Sequence, residues 1–395
     1  MKLAYLYIGG GRKKTSVQRK VVSQIEAMRK NGIDATGYFF SEEESEGFIG
    51  DFIKIIPFKR TQITNKWFRS YHEADALIKQ VAAFVEQNLG DYEILYLRHY
   101  RSTFNYVKML RKYADKLVLY IPSHVIKENF RERQVPENTG LVSVIIKWWE
   151  YFRYIYLYEK YVWKFILKKL KAVVVFTEEF AEILRSQAFG SPRIIYNRDG
   201  VNCAEVALRE LEKTEDPVVK LLFMKGSSLK QSWSGLQRLI SSVEGDNKKR
   251  FEIYITGSAG NDPEYKKDFV KCVGHLSPEE LQLLVNKVDL GISNLANYMI
   301  AFNTTSNLKS REYYARGLPF IQANEMPDID GYEAADCYLQ LPNNHLPIDM
   351  NLVYDYAMKM RNNPLHAGKM RQFAEEHLDW KVTVAELSEQ LKSLT

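Results

Sequence analysis

The chain is 395 residues long, more than one hydrophobic core ordinarily serves, so two domains are expected. Its 55 basic and 49 acidic residues are interspersed and leave a formal charge of only +6, which argues against a dedicated nucleic-acid binder. The three cysteines, Cys203, Cys272 and Cys337, lie far apart with no CxxC pair, so neither a disulfide framework nor a zinc site is expected and a reducing cytoplasm fits.

The first expected strand is KLAYLYI. A signal peptide would need a longer apolar core than MKLAYLYIGGG offers, and no uncharged run of about 18 residues follows, so the expectation is a cytoplasmic protein, soluble or peripheral. GGGRKKT reads as a loop, and 16–31 as a helix whose Val17, Val21, Ile25 and Met28 share one face and which Gly32 ends. Buried strands follow at FIKIIPF, EILYLR, KLVLYIP and AVVVF, with helical patterns at 73–88 and 178–186. This alternation implies a parallel sheet covered on both faces. The apolar rhythm lapses through NCAEVALRELEKTEDP and restarts with strands at VVKLLFM, FEIYIT, KCVG, DLGIS, PFIQA and YLQL. Helices are expected from near Gly235, Pro278, Asn307 and Leu352, and two more flank Trp380. The resulting fold class is α/β, with two doubly wound Rossmann-like domains facing a central cleft. Its boundaries are 1–202 for the first domain, 203–217 for a linker, 218–375 for the second domain, and 376–395 for a C-terminal helix packing back on the first. In open sheets of this type ligands bind beyond the carboxyl ends of the strands.

The stretch TTSNLKSREYYARGLPFI, 304–321, opens with small polar residues that cap helices and closes on Gly317 and Pro319, which end them. A helix starting near Asn307 would offer free N–H groups and the positive end of its dipole to an anion such as phosphate. Gly9, Gly10 and Gly11 follow the first strand, where they either make a plain turn or let a ligand approach the backbone. Position 14 is Lys14, so the GxGxxG fingerprint fails, and neither GxxxxGK[ST] nor HExxH occurs. His99 and His124 each sit just after an expected strand, as satisfied core histidines or as hydrogen-bond partners for sugar and phosphate. Between 142 and 171 an aromatic helix places Arg153, Lys160, Lys164, Lys168 and Lys171 on one face. That pattern suits an anionic membrane surface, or a core helix whose lysines are solvated.

The opening strand with GGG, VVVFTEEFAEILRS before NRDGVN, WSGLQRLI, FEIYITGSAG, VGHLSPEELQLLVNKVDLGIS and above all NLKSREYYARGLPFI resemble glycosyltransferases of the GT-B fold, specifically family 4, over nearly the whole chain. The resemblance implies retaining, metal-independent transfer from a nucleoside diphosphate sugar to a glycan or lipid-linked glycan, in surface polysaccharide assembly such as capsule or lipopolysaccharide. No other cofactor is implied. It further implies that the N–H groups of Ser306, Asn307 and Leu308 hold the donor diphosphate and that Glu312 binds the nucleotide ribose. His124 would correspond to the histidine that contacts the donor sugar, and Lys230 is assigned to the diphosphate from its place in the loop. Gly10 and Gly11 would border the donor, and Gly9, Arg98 and His99 the acceptor. Two positions depart from the family pattern: Thr304 stands where many members carry a second glutamate, and the loop GSSLKQSWSG lacks the usual arginine and lysine before Gly235. A nucleotide-sugar epimerase and a non-catalytic GT-B binding protein are the alternative readings.

Overall fold

A central strand of a parallel sheet is buried on both faces and so reads as an unbroken apolar run. β1 (Lys2–Ile8) is such a strand, with Leu3 to Ile8 buried throughout. The structure is a computed structural model, which describes residues 1–9, 16–42, 47–59, 61, 68–132, 141–211, 215–224, 232–257 and 265–395. Around β1 the chain lays down β2 (Asp34–Ser41), β3 (Gly47–Ile49), β4 (Ile53–Pro57), β5 (Ile94–Arg98), β6 (Leu117–Tyr120), β7 (Ala172–Val175) and β8 (Ile194–Tyr196). Their order in space is β3-β4-β2-β1-β5-β6-β7-β8, parallel except for the short edge strand β3. Helix Ser16–Lys30 covers one face through Val21, Ile25 and Met28.

The second sheet is parallel throughout. It contains β9 (Val219–Phe223), β10 (Phe251–Thr256), β11 (Val270–Gly274), β12 (Leu290–Ile292), β13 (Phe320–Gln322) and β14 (Tyr338–Gln340), ordered β11-β10-β9-β12-β13-β14. Leu221, Phe223, Ile253, Ile255, Leu290, Ile292 and Ile321 form the centre of its core, with helices Leu236–Val243 and Met350–Arg361 packed against them.

By internal packing the chain forms two units, Met1–Arg198 together with Thr383–Thr395, and Asp199–Val382. The described part of the expected linker, 203–211 and 215–217, belongs to the second unit. Cys203 N bonds Asp379 Oδ2 at 3.1 Å, Arg209 N bonds Arg316 O at 2.8 Å, and Arg371 reaches the carbonyls of Cys203 and Val206. The polar composition there marks a hydrogen-bonded strap on the second unit.

Several elements lie outside the sequence expectation: β2, β3, β8 and the helices Phe104–Lys112 and Val125–Glu132. β2 carries Asp34, Thr36 and Gly37, which interrupt the apolar run that announces a buried strand. Gly37 nonetheless packs closely: a Cβ there would sit 2.8 Å from Ile25 Cδ1 and 3.0 Å from Ile53 Cγ1, so a side chain would require those two isoleucines to shift. The helix Phe104–Lys112 was also not foreseen, although Thr103 caps it by accepting from Tyr106 N at 3.2 Å.

Candidate active site

Helix Leu308–Arg316 is fastened at both ends and beneath. The Asn307 side chain accepts from Ser310 N at 2.9 Å, while its amide nitrogen lies 3.1 Å from Ser293 Oγ and 3.2 Å from Gln322 Oε1. Ser293 directly follows β12 and Gln322 ends β13, so the helix begins at the carboxyl ends of the strands. Gly317 ends it at φ +67°, and a Cβ there would meet Ala367 at 2.8 Å. Underneath, the Tyr313 hydroxyl is 2.9 Å from Ile292 O and 3.1 Å from Leu222 O. Its ring lies where any side chain at Gly291 would stand, 2.7 Å from an added Cβ. The placement is therefore fixed by a cap, a left-handed glycine and a buried tyrosine.

This leaves an electropositive helix start. Among the described residues no protein acceptor meets the N–H groups of Ser306, Asn307 or Leu308. No acid lies in the first turn, and Lys309 there holds its ammonium 4.4 Å over the ring of Phe223, the last residue of β9. Unpaired N–H groups and the helix dipole together favour an anion at such a position. The Ser306 oxygen already accepts from Arg311 Nη2 at 2.8 Å and Asp199 N at 2.9 Å, which leaves its O–H as well as its amide to donate. Thr304 pairs in parallel with the exposed Glu325, and Thr305 N bonds Glu325 O at 3.0 Å.

Arg311 is fully buried on the inner side of the helix. Its Nε donates to Asp199 O at 3.1 Å and its Nη2 meets the carboxylate of Asp328, itself buried. The neighbouring Glu312 points outward, with about a third of its side chain exposed (33%) and Arg316 Nε and Nη2 on its Oε1 at 3.0 and 2.8 Å.

The first unit holds the other expected site residues. Gly9 is exposed at φ +97°, with its amide on Phe40 O at 3.0 Å and open space where a side chain would grow. Gly10, Gly11 and Lys230 lie outside the described residues. Arg98 stacks 5.2 Å from the ring of Tyr120, whose hydroxyl takes the ammonium of the buried Lys20 at 2.9 Å. His99 is buried, with Nδ1 2.9 Å from Tyr106 Oη and Nε2 3.0 Å from Glu159 Oε1. Burial opposes a charge on Glu159, yet His99 and the Ser102 N–H hold its carboxyl below the ordinary value. His124 is enclosed between Trp163 and Phe180, with ring centroids 5.0 and 5.8 Å away. Burial, with Lys127 and Lys160 nearby, pulls its pKa down to about 3, so the ring is neutral at neutral pH. Both histidines thus occupy the interior of the first unit. Beyond His124, in the helix Val125–Glu132, burial pushes the Glu128 carboxyl up to about 7 although Ser123 Oγ donates to it at 2.8 Å.

The aromatic segment runs helically from Leu141 to Lys169, with wider turns in which Leu157 N reaches Phe152 O and Leu167 N reaches Val162 O. Its outward stripe is apolar. Val142, Ile145, Trp149 and Phe152, three or four residues apart, are each at least half exposed. Lys160 departs from the expected basic face, since its ammonium lies against Gln187 and the Trp163 ring. Arg153, Lys164 and Lys168 do face solvent. Among the described residues no helix is long and apolar enough to cross a membrane.

Two helix-covered sheets in series, the second parallel throughout and the first parallel up to its edge strand, define a GT-B fold, the architecture of one large class of glycosyltransferases. Sucrose-phosphate synthase from Thermosynechococcus elongatus superposes with a TM-score of 0.65 at 12% identity, over 100% of this chain and 98% of that one. WaaG, a glycosyltransferase involved in lipopolysaccharide biosynthesis, gives 0.62 at 13% identity over 98% and 99% of the two chains. Anabaena HepE in complex with UDP-glucose gives 0.58 at 12% identity, with both chains covered completely. At such identities the likeness is one of fold. No protein-family model matches the sequence, and no curated protein does.

Sequence reasoning missed Arg311, Lys309, Arg316 and Lys20. Lys309 carried a signal that could have been used: a cation in the first turn of a helix opposes the dipole unless an anion sits there. A buried arginine such as Arg311 carries none, because its neighbours in sequence are those of any solvated helix face.

Proposed function

We propose that this chain is a retaining glycosyltransferase, moving a sugar from a nucleoside diphosphate donor to a hydroxyl of a glycan or lipid-linked glycan in surface polysaccharide assembly. The observation that carries the reading is one helix, Leu308–Arg316, which joins unbonded N–H groups at its start to the outward carboxylate of Glu312 one turn later. HepE, of the same fold, is seen with UDP-glucose. On this reading the N–H groups of Ser306 to Leu308 and the ammonium of Lys309 receive the diphosphate, and Glu312 receives the ribose hydroxyls.

In the transfer step the bond from the sugar's anomeric carbon to the diphosphate oxygen breaks, its electron pair staying on that oxygen. The acceptor oxygen bonds to the same face of the carbon, and its proton passes to the departing phosphate. The protein's part is electrostatic: donors fixed before the reaction meet the negative charge as it grows, so no metal ion is needed for that purpose. Incubation with UDP-, GDP- and dTDP-sugars and a glycan acceptor should give a product with the donor's anomeric configuration. An altered free nucleotide sugar without acceptor would make the protein an epimerase. Binding with neither transfer nor hydrolysis would make it a scaffold.

The acceptor side of the reading includes an anionic membrane surface. Its basis is the exposed stripe of Val142, Ile145, Trp149 and Phe152, followed along the same helical segment by the solvent-facing Arg153, Lys164 and Lys168, a combination of apolar and basic groups that suits a helix at headgroup depth. The protein should co-sediment with phosphatidylglycerol vesicles in a salt-sensitive way, and Trp149→Ser with Phe152→Ser should remove most of the bound fraction. Equal recovery on neutral vesicles, or none on either, would refute the membrane contact.

A further inference from the structure

Arg316 lies four residues after Glu312, a spacing at which opposite charges pair weakly along any helix. Three features set this pair apart. The arginine side chain is nearly buried, with 7% exposed, although its partner faces outward. Nε and Nη2 both close on one oxygen, Glu312 Oε1, so that oxygen has its acceptor positions filled. The remaining nitrogen, Nη1, is held by Gln282 Oε1 on helix Pro278–Lys287. Gln282 is fixed in turn, its amide nitrogen 3.2 Å from Leu208 O and 3.0 Å from Asn286 Oδ1. The guanidinium is thus anchored from behind by a second helix and the strap that carries Leu208. Among the described residues nothing donates to Glu312 Oε2.

We propose that Arg316 is the positioning residue that turns Glu312 so that Oε2 alone, with two acceptor positions, receives the ribose 2′- and 3′-hydroxyls. The pair then reads the sugar of the nucleotide, and selects ribonucleotides over deoxyribonucleotides. This rests on the reading of Glu312 given above. A carboxylate held on one oxygen by a rigid fork keeps a single rotamer, so its free oxygen meets the hydroxyls without an ordering cost at binding. Without Arg316 the side chain, with its three rotatable bonds, would sample several rotamers, and Oε2 would lose its fixed place.

Calorimetric titration of UDP and GDP, each beside its 2′,3′-dideoxy analogue, tests this. The parent protein should prefer the ribose form of the nucleotide it binds by about tenfold or more, as expected for unmade bonds to a charged acceptor. Arg316→Ala should bring that preference to within about threefold while leaving affinity for inorganic pyrophosphate unchanged, since pyrophosphate has no hydroxyls to lose. Gln282→Ala should shift the preference in the same direction by a smaller factor, and serves if Arg316→Ala does not fold. Full preference retained in both variants overturns the role of Arg316 while leaving that of Glu312 standing. Indifference to the hydroxyls in the parent overturns both.

Discussion

Asp328→Ala is expected to destabilise the protein by about 3–5 kcal/mol, because it leaves the Arg311 guanidinium buried without its countercharge. The remaining contacts, to Asp199 O and Ser306 Oγ, satisfy hydrogens but supply no charge. A buried pair is weak evidence for stability in itself, since desolvating two ions offsets much of their attraction. Breaking it is another matter. The double variant Arg311→Leu with Asp328→Ala should therefore be more stable than Asp328→Ala alone, the stranded charge being gone. Urea unfolding followed by far-ultraviolet circular dichroism measures both. A midpoint in Asp328→Ala equal to the parent's would show that water or a shift of the helix compensates Arg311. The same change should loosen the proposed phosphate site, for Arg311 ties the Ser306 hydroxyl and Asp199 into one knot at the helix start.

Which parts of this protein were legible in its sequence follows from how each is stabilised. KLAYLYI, AVVVF and FEIYIT announce themselves because burial on both faces demands unbroken apolar runs, and burial is a property of each residue in turn. β2, paired with β1 and β4, packs Gly37 under Ile25 and Ile53, a relation between residues on different elements, so its pattern shows an interruption where the structure has tight packing. The start of helix Leu308–Arg316 was legible for a local reason: Asn307 caps it and Gly317 ends it, and both act within a few residues.

Polar residues divide the same way. His99 and His124 follow strands, where a ligand-facing side chain would sit, but one is enclosed by Tyr106 and Glu159 and the other by Trp163 and Phe180. Glu159 and Trp163 come from the aromatic segment some 35 or more residues further on, a partnership that position after a strand cannot reveal. For the same reason 203–217 reads as a free connector: backbone groups of Cys203, Val206 and Arg209 are held by Arg316, Arg371 and Asp379, each more than 100 residues away.

Glu312→Ala should weaken nucleotide binding by roughly 1.5–3 kcal/mol, about 10- to 150-fold, the range for hydrogen bonds to a charged acceptor. Its stability cost should be smaller than that of Asp328→Ala, because Glu312 is a third exposed and its removal lets water reach the Arg316 guanidinium, whereas Arg311 and Asp328 are both buried. Affinity and stability thus move apart in this variant, whereas in Asp328→Ala they fall together. The loss should also depend on which ligand is titrated. Inorganic pyrophosphate, which would meet only the N–H groups of Ser306 to Leu308 and Lys309, should bind the variant as it binds the parent, while UDP or GDP loses affinity. Glu312→Gln sharpens the point: it keeps the length of the side chain but exchanges the charge, turns one oxygen into a donor and disturbs the contact with Arg316, so its affinity should fall between parent and alanine variant. Calorimetry on the folded variants decides the matter. Unchanged nucleotide affinity in Glu312→Ala would remove the ribose contact from this helix and leave it an anion site alone.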